Sequence, residues 1–139
     1  MDRTTEPLPT EGDQVSTLTL TKENFAETIG GNDIVFIDFW AAWCGPCRAF
    51  GPVYEGASEN HQDVVFAKVD TEDQQELAGM FGITSIPTLV AFREKVLVFG
   101  EAGALPAPEL EKVLTAVKEL DMAEVHEKVA EQQKATETA

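Results

Sequence analysis

The sequence predicts an α/β protein, a mixed β-sheet with helices on both of its faces. Strand-like and helix-like segments alternate in the order β α β α β α β β α, and this alternation is typical of the class. The segments 34–40 and 64–70 are apolar on nearly every position, as central strands covered by helices on both sides are. Two consecutive strands near the end of the order make part of the sheet antiparallel.

The composition limits the classes of partner and compartment. With 139 residues, 43% of them apolar, the chain is long enough for one globular domain with its own core. The formal net charge of −15 argues against nucleic acid or an anionic membrane as a partner, because both bind clustered Lys and Arg. The sequence has neither an apolar run of the ~20 residues that cross a bilayer nor the layout of a signal peptide. We therefore expect a cytoplasmic protein, and a monomer.

The first elements are predicted from short patterns. Residues 1–15 contain two prolines and five charged side chains without apolar periodicity, which predicts a flexible tail. Polar and apolar residues alternate over 16–20, as in a short edge strand. Thr21 is placed to cap a helix that ends before the turn at 30–33.

The later elements follow from periodicity and from the turn residues between them. The predicted segments are strand 34–40, helix 48–60, strand 64–70, helix 71–80, strands 88–93 and 96–99, and helix 108–117. A weaker apolar stripe predicts a possible short helix over 121–132, and the polar remainder is expected to be disordered. The domain boundaries that we predict are a tail at 1–15, a domain at 16–120 and a C-terminal extension at 121–139.

Cys44 and Cys47 stand where the apolar strand 34–40 gives way to a helix. Cys44 is expected at the helix N-terminus, where free backbone N–H groups and the helix dipole stabilise a thiolate, the reactive form, so Cys44 is the predicted nucleophile. Cys47, three residues later on the same face, is expected to lie deeper and to act as the resolving thiol. Gly45 and Pro46 hold the two thiols in one arrangement, since proline presets an early helical conformation.

Three other interpretations of the two cysteines remain open at this point. A zinc site needs two further ligands, and the sequence has no other cysteine and only two distant histidines. An inert structural disulfide is the second alternative, although it is unusual in the cytoplasm. Two unreactive thiols are the third, although the position after a strand favours reactivity.

Asp38 is the exception in the apolar strand that leads to Cys44. Burial without a partner would raise the pKa of this carboxyl and leave it partly protonated near neutral pH. A carboxyl in that state can accept the proton of Cys47 as this thiol attacks. Lys68, in the next apolar strand, is the predicted partner of Asp38. A purely structural pair at the end of the sheet is the alternative.

Several motifs make the chain resemble the thioredoxin family over about 15–120. They occur in the family's order and are Asp38-Phe39-Trp40-Ala41, Trp43-Cys44-Gly45-Pro46-Cys47, Pro52, Lys68-Val69-Asp70, Ile86-Pro87-Thr88-Leu89 and Gly103-Ala104-Leu105. The resemblance implies the thioredoxin fold, a central five-stranded mixed sheet flanked by four helices. It also implies a cis peptide bond between Ile86 and Pro87, facing the disulfide.

The resemblance further implies a function. The expected activity is that of a protein-disulfide reductase, an electron carrier in cell redox homeostasis that works by thiol–disulfide exchange. Trp43, Ile86, Pro87, Ala102 and Gly103 would line the groove that binds substrate, and no cofactor or metal would be bound. A thioredoxin reductase, an NADPH-dependent flavoprotein, would recharge the dithiol, and disulfide-containing proteins would be the targets.

Two other functions remain as hypotheses. The domain could serve mainly to dock a partner, which the extra segments at both ends favour slightly and the intact Cys-Gly-Pro-Cys motif disfavours. It could also be an oxidant or isomerase of an exported compartment. The Gly-Pro pair, typical of the family's reducing members, and the absence of a signal sequence count against that hypothesis.

Overall fold

The computed structural model describes residues 16–138, so the tail predicted at 1–15 lies outside the described residues. Five strands and five helices follow one another in the order β1 (Thr17–Thr19), α1 (Phe25–Gly30), β2 (Ile34–Trp40), α2 (Gly45–Asn60), β3 (Val65–Asp70), α3 (Gln75–Met80), β4 (Thr88–Arg93), β5 (Val96–Ala102), α4 (Ala107–Lys118) and α5 (Met122–Thr138). The predicted α/β class is confirmed. The helix count is five instead of four, because the segment after α4 forms a full helix.

The five strands form one mixed sheet in the order β1-β3-β2-β4-β5. Strand β3 pairs in parallel with β1 and β2, whereas β4 pairs antiparallel with β2 and β5. Strand β2 is therefore central, and six of its seven residues are buried. Its carboxyl end leads directly to the cysteines, so the site lies at the end of the central, buried strand.

Two hydrophobic clusters cover the two faces of the sheet. One joins Phe36 of β2 to Phe50 and Tyr54 of α2 and to the buried leucines of α4. The other joins the alternate residues of β2, including Ile37, to α1 and α3. Because strand side chains alternate between faces, Asp38 points to the same face as Phe36, the face that α2 covers.

Helices α1 and α3 begin later than the sequence predicts, and a separate hydrogen-bonded turn precedes each of them. Before α1, the N–H of Asn24 donates to the carbonyl oxygen of Thr21 at 3.2 Å, and the N–H of Thr21 donates to Asn24 Oδ1 at 2.7 Å. Before α3, the N–H of Gln74 donates to the carbonyl oxygen of Asp70 at 2.8 Å, and Asp70 Oδ1 accepts the N–H of Glu72 at 2.9 Å. Side chains therefore cap both turns, and the regular helices begin only after them.

The β4–β5 hairpin has a two-residue tip, as predicted. Glu94 and Lys95 both have positive φ, 50° and 72°, although neither is glycine. A type I′ turn requires positive φ at both central residues, and its twist matches that of the paired strands. The tip therefore has the preferred hairpin geometry with residues that adopt it at some cost.

Arg93, at the end of β4, holds the junction between α4 and α5. Its Nη1 donates to the carbonyl oxygens of Val117, Lys118 and Leu120 at 2.8, 2.9 and 3.3 Å. The last carbonyls of a helix have no partner within the helix, and a cation is favoured there. The guanidinium therefore links the C-terminus of α4 to the end of β4.

Helix α5 is longer than the helix predicted over 121–132 and continues to Thr138 through the part expected to be disordered. Met122 is buried and Val125 and Val129 are half-buried. The segment has no glycine or proline and is rich in Ala, Glu, Lys and Gln, which have high helix propensity. Within residues 16–138, no helix is both long and apolar enough to cross a membrane.

Candidate active site

Cys44 and Cys47 are joined by a disulfide at the start of α2, with their Cα atoms 5.2 Å apart. Cys44 is the N-cap residue in extended conformation, and Pro46 lies in the first two helical positions. The backbone N–H of Cys47 donates to Cys44 Sγ at 3.2 Å. In the reduced protein, the same N–H and the helix dipole would stabilise a thiolate on Cys44.

The second wall of the site comes from two loops that are distant in the sequence. The Ile86–Pro87 peptide bond is cis, as the resemblance implied. Cys44 Sγ lies 3.7 Å from the carbonyl oxygen of Ile86. The N–H of Gly103 donates to the carbonyl oxygen of Pro87 at 2.7 Å, and Gly103 has a φ of 111° that favours glycine. The structure thus brings Ile86, Pro87 and Gly103 together beside the disulfide.

The surface around the disulfide is a shallow groove lined by both apolar and polar side chains. Trp43 is 67% exposed, whereas the two cysteines are each only 4% exposed. Trp43 and Ile86 line a shallow groove together with Ala78 and Ile83, from α3 and the loop after it. Ala102 lies exposed at the end of β5, where it pairs with Thr88 of β4, the residue after Pro87.

Asp38 is fully buried, and neither of its carboxylate oxygens has a hydrogen-bond partner. Burial raises the pKa of Asp38 from 3.8 to about 7, while the positive charge of Lys68 opposes this rise and the negative charge of Glu55 adds to it. Such a carboxyl changes its protonation state near neutral pH. The raised pKa agrees with the expectation from the apolar strand.

Lys68, the predicted partner of Asp38, lies opposite it in the β2–β3 register, and neither carboxylate oxygen of Asp38 accepts a hydrogen bond from it. Its Nζ instead forms an ion pair with Glu55 Oε2 at 3.3 Å and lies 5.1 Å from the centre of the Trp40 ring. Lys68 therefore acts on Asp38 through space, without a contact that would satisfy the carboxylate.

Glu55 and Tyr54, both in α2, are residues of this site that the sequence patterns above did not single out. Tyr54 is fully buried, and its hydroxyl donates to the carbonyl oxygen of Ala67 at 2.8 Å. Burial and the nearby Asp38 raise the pKa of Tyr54 well above its usual value. The missed signal was helical spacing, since residues seven and eight positions after Cys47 return to nearly the same helix face.

A zinc site was one of the interpretations that the sequence left open for the two cysteines. The two sulfurs are bonded to each other. Across residues 16–138, no group of three or more His, Cys, Asp or Glu side chains is placed to hold a metal ion.

Comparisons with known proteins agree on one family. The family model described as Thioredoxin matches residues 16–116. The chain is 59% identical over 118 residues to a protein named putative thioredoxin 2 from Streptomyces coelicolor, covering 85% of this chain and 88% of that protein. It is 45% identical over 103 residues to a thioredoxin of Alicyclobacillus acidocaldarius, covering 73% of this chain and 98% of the relative.

Solved structures give the same result for the fold. A mutant thioredoxin from Halobacterium salinarum superposes with a TM-score of 0.70 at 30% identity, over 79% of this chain and 98% of that one. The thioredoxin of Malassezia sympodialis gives a TM-score of 0.67 at 35% identity, over 74% of this chain and 91% of its own. The family match spans every site residue described above, whereas 1–15 and the whole of α5 lie outside it.

Proposed function

This chain belongs to the thioredoxin family and is a protein-disulfide reductase that exchanges electrons through Cys44 and Cys47, and we propose the role of each residue of its site. Cys44 is the nucleophile. The observation that carries this assignment is the position of Cys44 Sγ at the α2 N-terminus, where it accepts the N–H of Cys47. A sulfur so placed is the one whose thiolate is stabilised.

The first chemical step joins the protein to its target. The Cys44 thiolate attacks one sulfur of the target disulfide, forming a mixed disulfide, and the other target sulfur leaves as a thiolate that takes up a proton. Gly45 and Pro46 keep the attacking and the resolving sulfur at a fixed spacing. Trp43, Ile86, Pro87, Ala102 and Gly103 bind the target segment, with the backbone of Ile86 pairing with it.

The second step releases the reduced target. Asp38 in its ionised form accepts the proton of Cys47, and the Cys47 thiolate attacks Cys44 Sγ. The bond between Cys44 and the target breaks, and the remaining target sulfur leaves and is protonated. Two electrons have then moved to the target, and the Cys44–Cys47 disulfide present in this structure has formed. Lys68 favours the ionised form of Asp38 from a distance.

The partners follow from the family. Membership implies disulfide-containing target proteins and a reductase that restores the dithiol. In finer detail, we assign the restoring step to an NADPH-dependent flavoprotein thioredoxin reductase. We place the protein in the cytoplasm as a monomer, in keeping with its relatives among bacterial thioredoxins and its acidic composition.

Two cysteine variants test the assignment of roles. The reduced protein should reduce an insulin-type disulfide, and Cys44→Ser should abolish this activity. Cys47→Ser should leave the first step intact and accumulate a stable mixed disulfide, seen as a mass increase that a reductant removes. Retained activity in Cys44→Ser, or a mixed disulfide that forms through Cys47 instead, would show that the two roles are assigned to the wrong sulfurs.

A further inference from the structure

The ammonium of Lys68 is held by two groups, neither of which is Asp38. Glu55 Oε2 lies 3.3 Å from Nζ, and the Trp40 ring centre lies 5.1 Å from it. A carboxylate attracts an ammonium by charge, and the face of an indole ring attracts it through its quadrupole. Both contacts fix the position of the same long, flexible side chain.

Among the residues that the structure describes, two charged side chains of opposite sign act on the carboxyl of Asp38. Lys68 faces it from β3, and Glu55 and the hydroxyl of Tyr54 face it from α2. On the other side, β4 places the apolar Leu89 opposite Asp38 in the register. Lys68 is thus the cation that can compensate a negative charge on Asp38, and its location decides how much compensation that charge receives.

We propose that Glu55 is a positioning residue, which retains the Lys68 ammonium beside its own carboxylate and so prevents a contact ion pair between Lys68 and Asp38. The inference rests on the proposed role of Asp38 as the proton acceptor. A contact pair would keep Asp38 ionised across the neutral pH range, because a neighbouring cation lowers the pKa of a carboxyl. A carboxylate with a lower pKa has a lower affinity for the proton of Cys47 and is therefore a weaker base. With Lys68 held beside Glu55, the Asp38 carboxyl exchanges its proton near neutral pH.

The test is a titration of the Asp38 carboxyl carbon by NMR, in the oxidised full-length chain. Glu55→Gln removes the anchor and lets Lys68 approach Asp38. The Asp38 midpoint should fall by about one unit or more, as it does for carboxyls that gain a contact cation. The matched control is Glu59→Gln, which removes the same charge from an exposed residue one turn further along α2 and should leave the midpoint in place.

A double-variant comparison separates anchoring from simple repulsion between the two carboxylates. If Glu55 acts through Lys68, Glu55→Gln should lower the midpoint much less when Lys68 is replaced by methionine. An equal fall in both backgrounds, an unchanged midpoint or a rise in Glu55→Gln would each overturn the inference. Glu55→Asp, which keeps a carboxylate, should restore most of the original midpoint.

Kinetics distinguish a failure of this inference from a failure of the proposed role of Asp38. The acid limb of the pH profile for release of the mixed disulfide should follow the Asp38 midpoint, and should move with it in Glu55→Gln. A midpoint that moves while the kinetic limb stays fixed would support the anchoring by Glu55 and refute Asp38 as the acceptor. The other outcome is a kinetic limb that matches the Asp38 midpoint in the unmodified protein, while Glu55→Gln moves neither the limb nor the midpoint. That result would support Asp38 as the acceptor and refute the anchoring by Glu55.

Discussion

Replacement of Asp38 by asparagine should remove a large pH dependence from the stability of the oxidised protein. Asp38 is fully buried without a hydrogen-bond partner, and burial raises its pKa from 3.8 to about 7. The folded state therefore holds the Asp38 proton more tightly than the unfolded state. Its favourable contribution is fully present below pH ~4 and is lost as the pH rises to about 7, where the folded protein also releases the proton.

The size of the effect follows from the pKa difference. A rise of about three units corresponds to about 4 kcal/mol, at 1.36 kcal/mol per unit. An asparagine has nearly the same shape and does not ionise. The unfolding free energy of the variant minus that of the original protein should therefore grow by about 4 kcal/mol between pH 4 and pH 8. Other titrating groups contribute equally to both proteins and cancel in the difference.

Urea unfolding at a series of pH values measures this difference directly, with the disulfide intact in both proteins. Asp73→Asn is the matched control, since Asp73 is exposed. Its difference from the original protein should stay nearly constant over the same range. A difference for Asp38→Asn that changes by less than about 1 kcal/mol, or that changes in the other direction, would refute the assignment of a raised pKa to this carboxyl.

Three further changes probe parts of the structure away from the sulfurs. Lys95→Gly should raise the unfolding free energy by about 0.5–1 kcal/mol in urea unfolding, because glycine adopts the positive φ of the hairpin tip without strain; a loss of stability would contradict the turn geometry. Tyr54→Phe should lower it by about 1 kcal/mol, since the hydroxyl bond to the buried Ala67 carbonyl is lost, and an unchanged value would show that this bond contributes nothing net. Arg93→Leu should lower it by about 1–3 kcal/mol and speed proteolysis between α4 and α5, because the last carbonyls of α4 lose their charged donor; cleavage at the original rate would argue against that role.

The architecture was predictable because its signals are local and periodic. The apolar strand 34–40, the two-residue hairpin tip and the i, i+3, i+4, i+7 pattern of α4 all appear in the structure. The starts of α1 and α3 were not predicted, because the turns capped by Asn24 and Asp70 look like first helical turns in the sequence, although the regular helices begin after them. The predicted helix over 121–132 is shorter than α5, because the apolar stripe stops there. The polar residues that follow have enough helix propensity to continue the helix.

The site was predictable to the extent that its residues carry their chemistry in type and spacing. Cys44, Cys47 and Asp38 stand out from their neighbours in the sequence. The partner of Lys68 does not stand out in the sequence, because a lysine at this position of β3 can reach either Asp38 of β2 or Glu55 of α2. Only the three-dimensional packing decides that choice. The cis bond before Pro87 likewise followed from the resemblance, since most X–Pro bonds are trans.

The shallow burial of the two sulfurs has a consequence for which targets can react. Cys44 is 4% exposed and lies against the carbonyl of Ile86, while Trp43 stands 67% exposed beside it. An attacking sulfur must approach along the axis of the target's S–S bond, so Trp43 and Ile86 keep a disulfide that lies flat on a rigid surface away from Cys44. Protruding or locally unfolded disulfides can enter. The rates at which different substrates are reduced should therefore increase with the ease of local unfolding around each disulfide. The shape of the site thus selects disulfides in flexible segments over those in rigid ones.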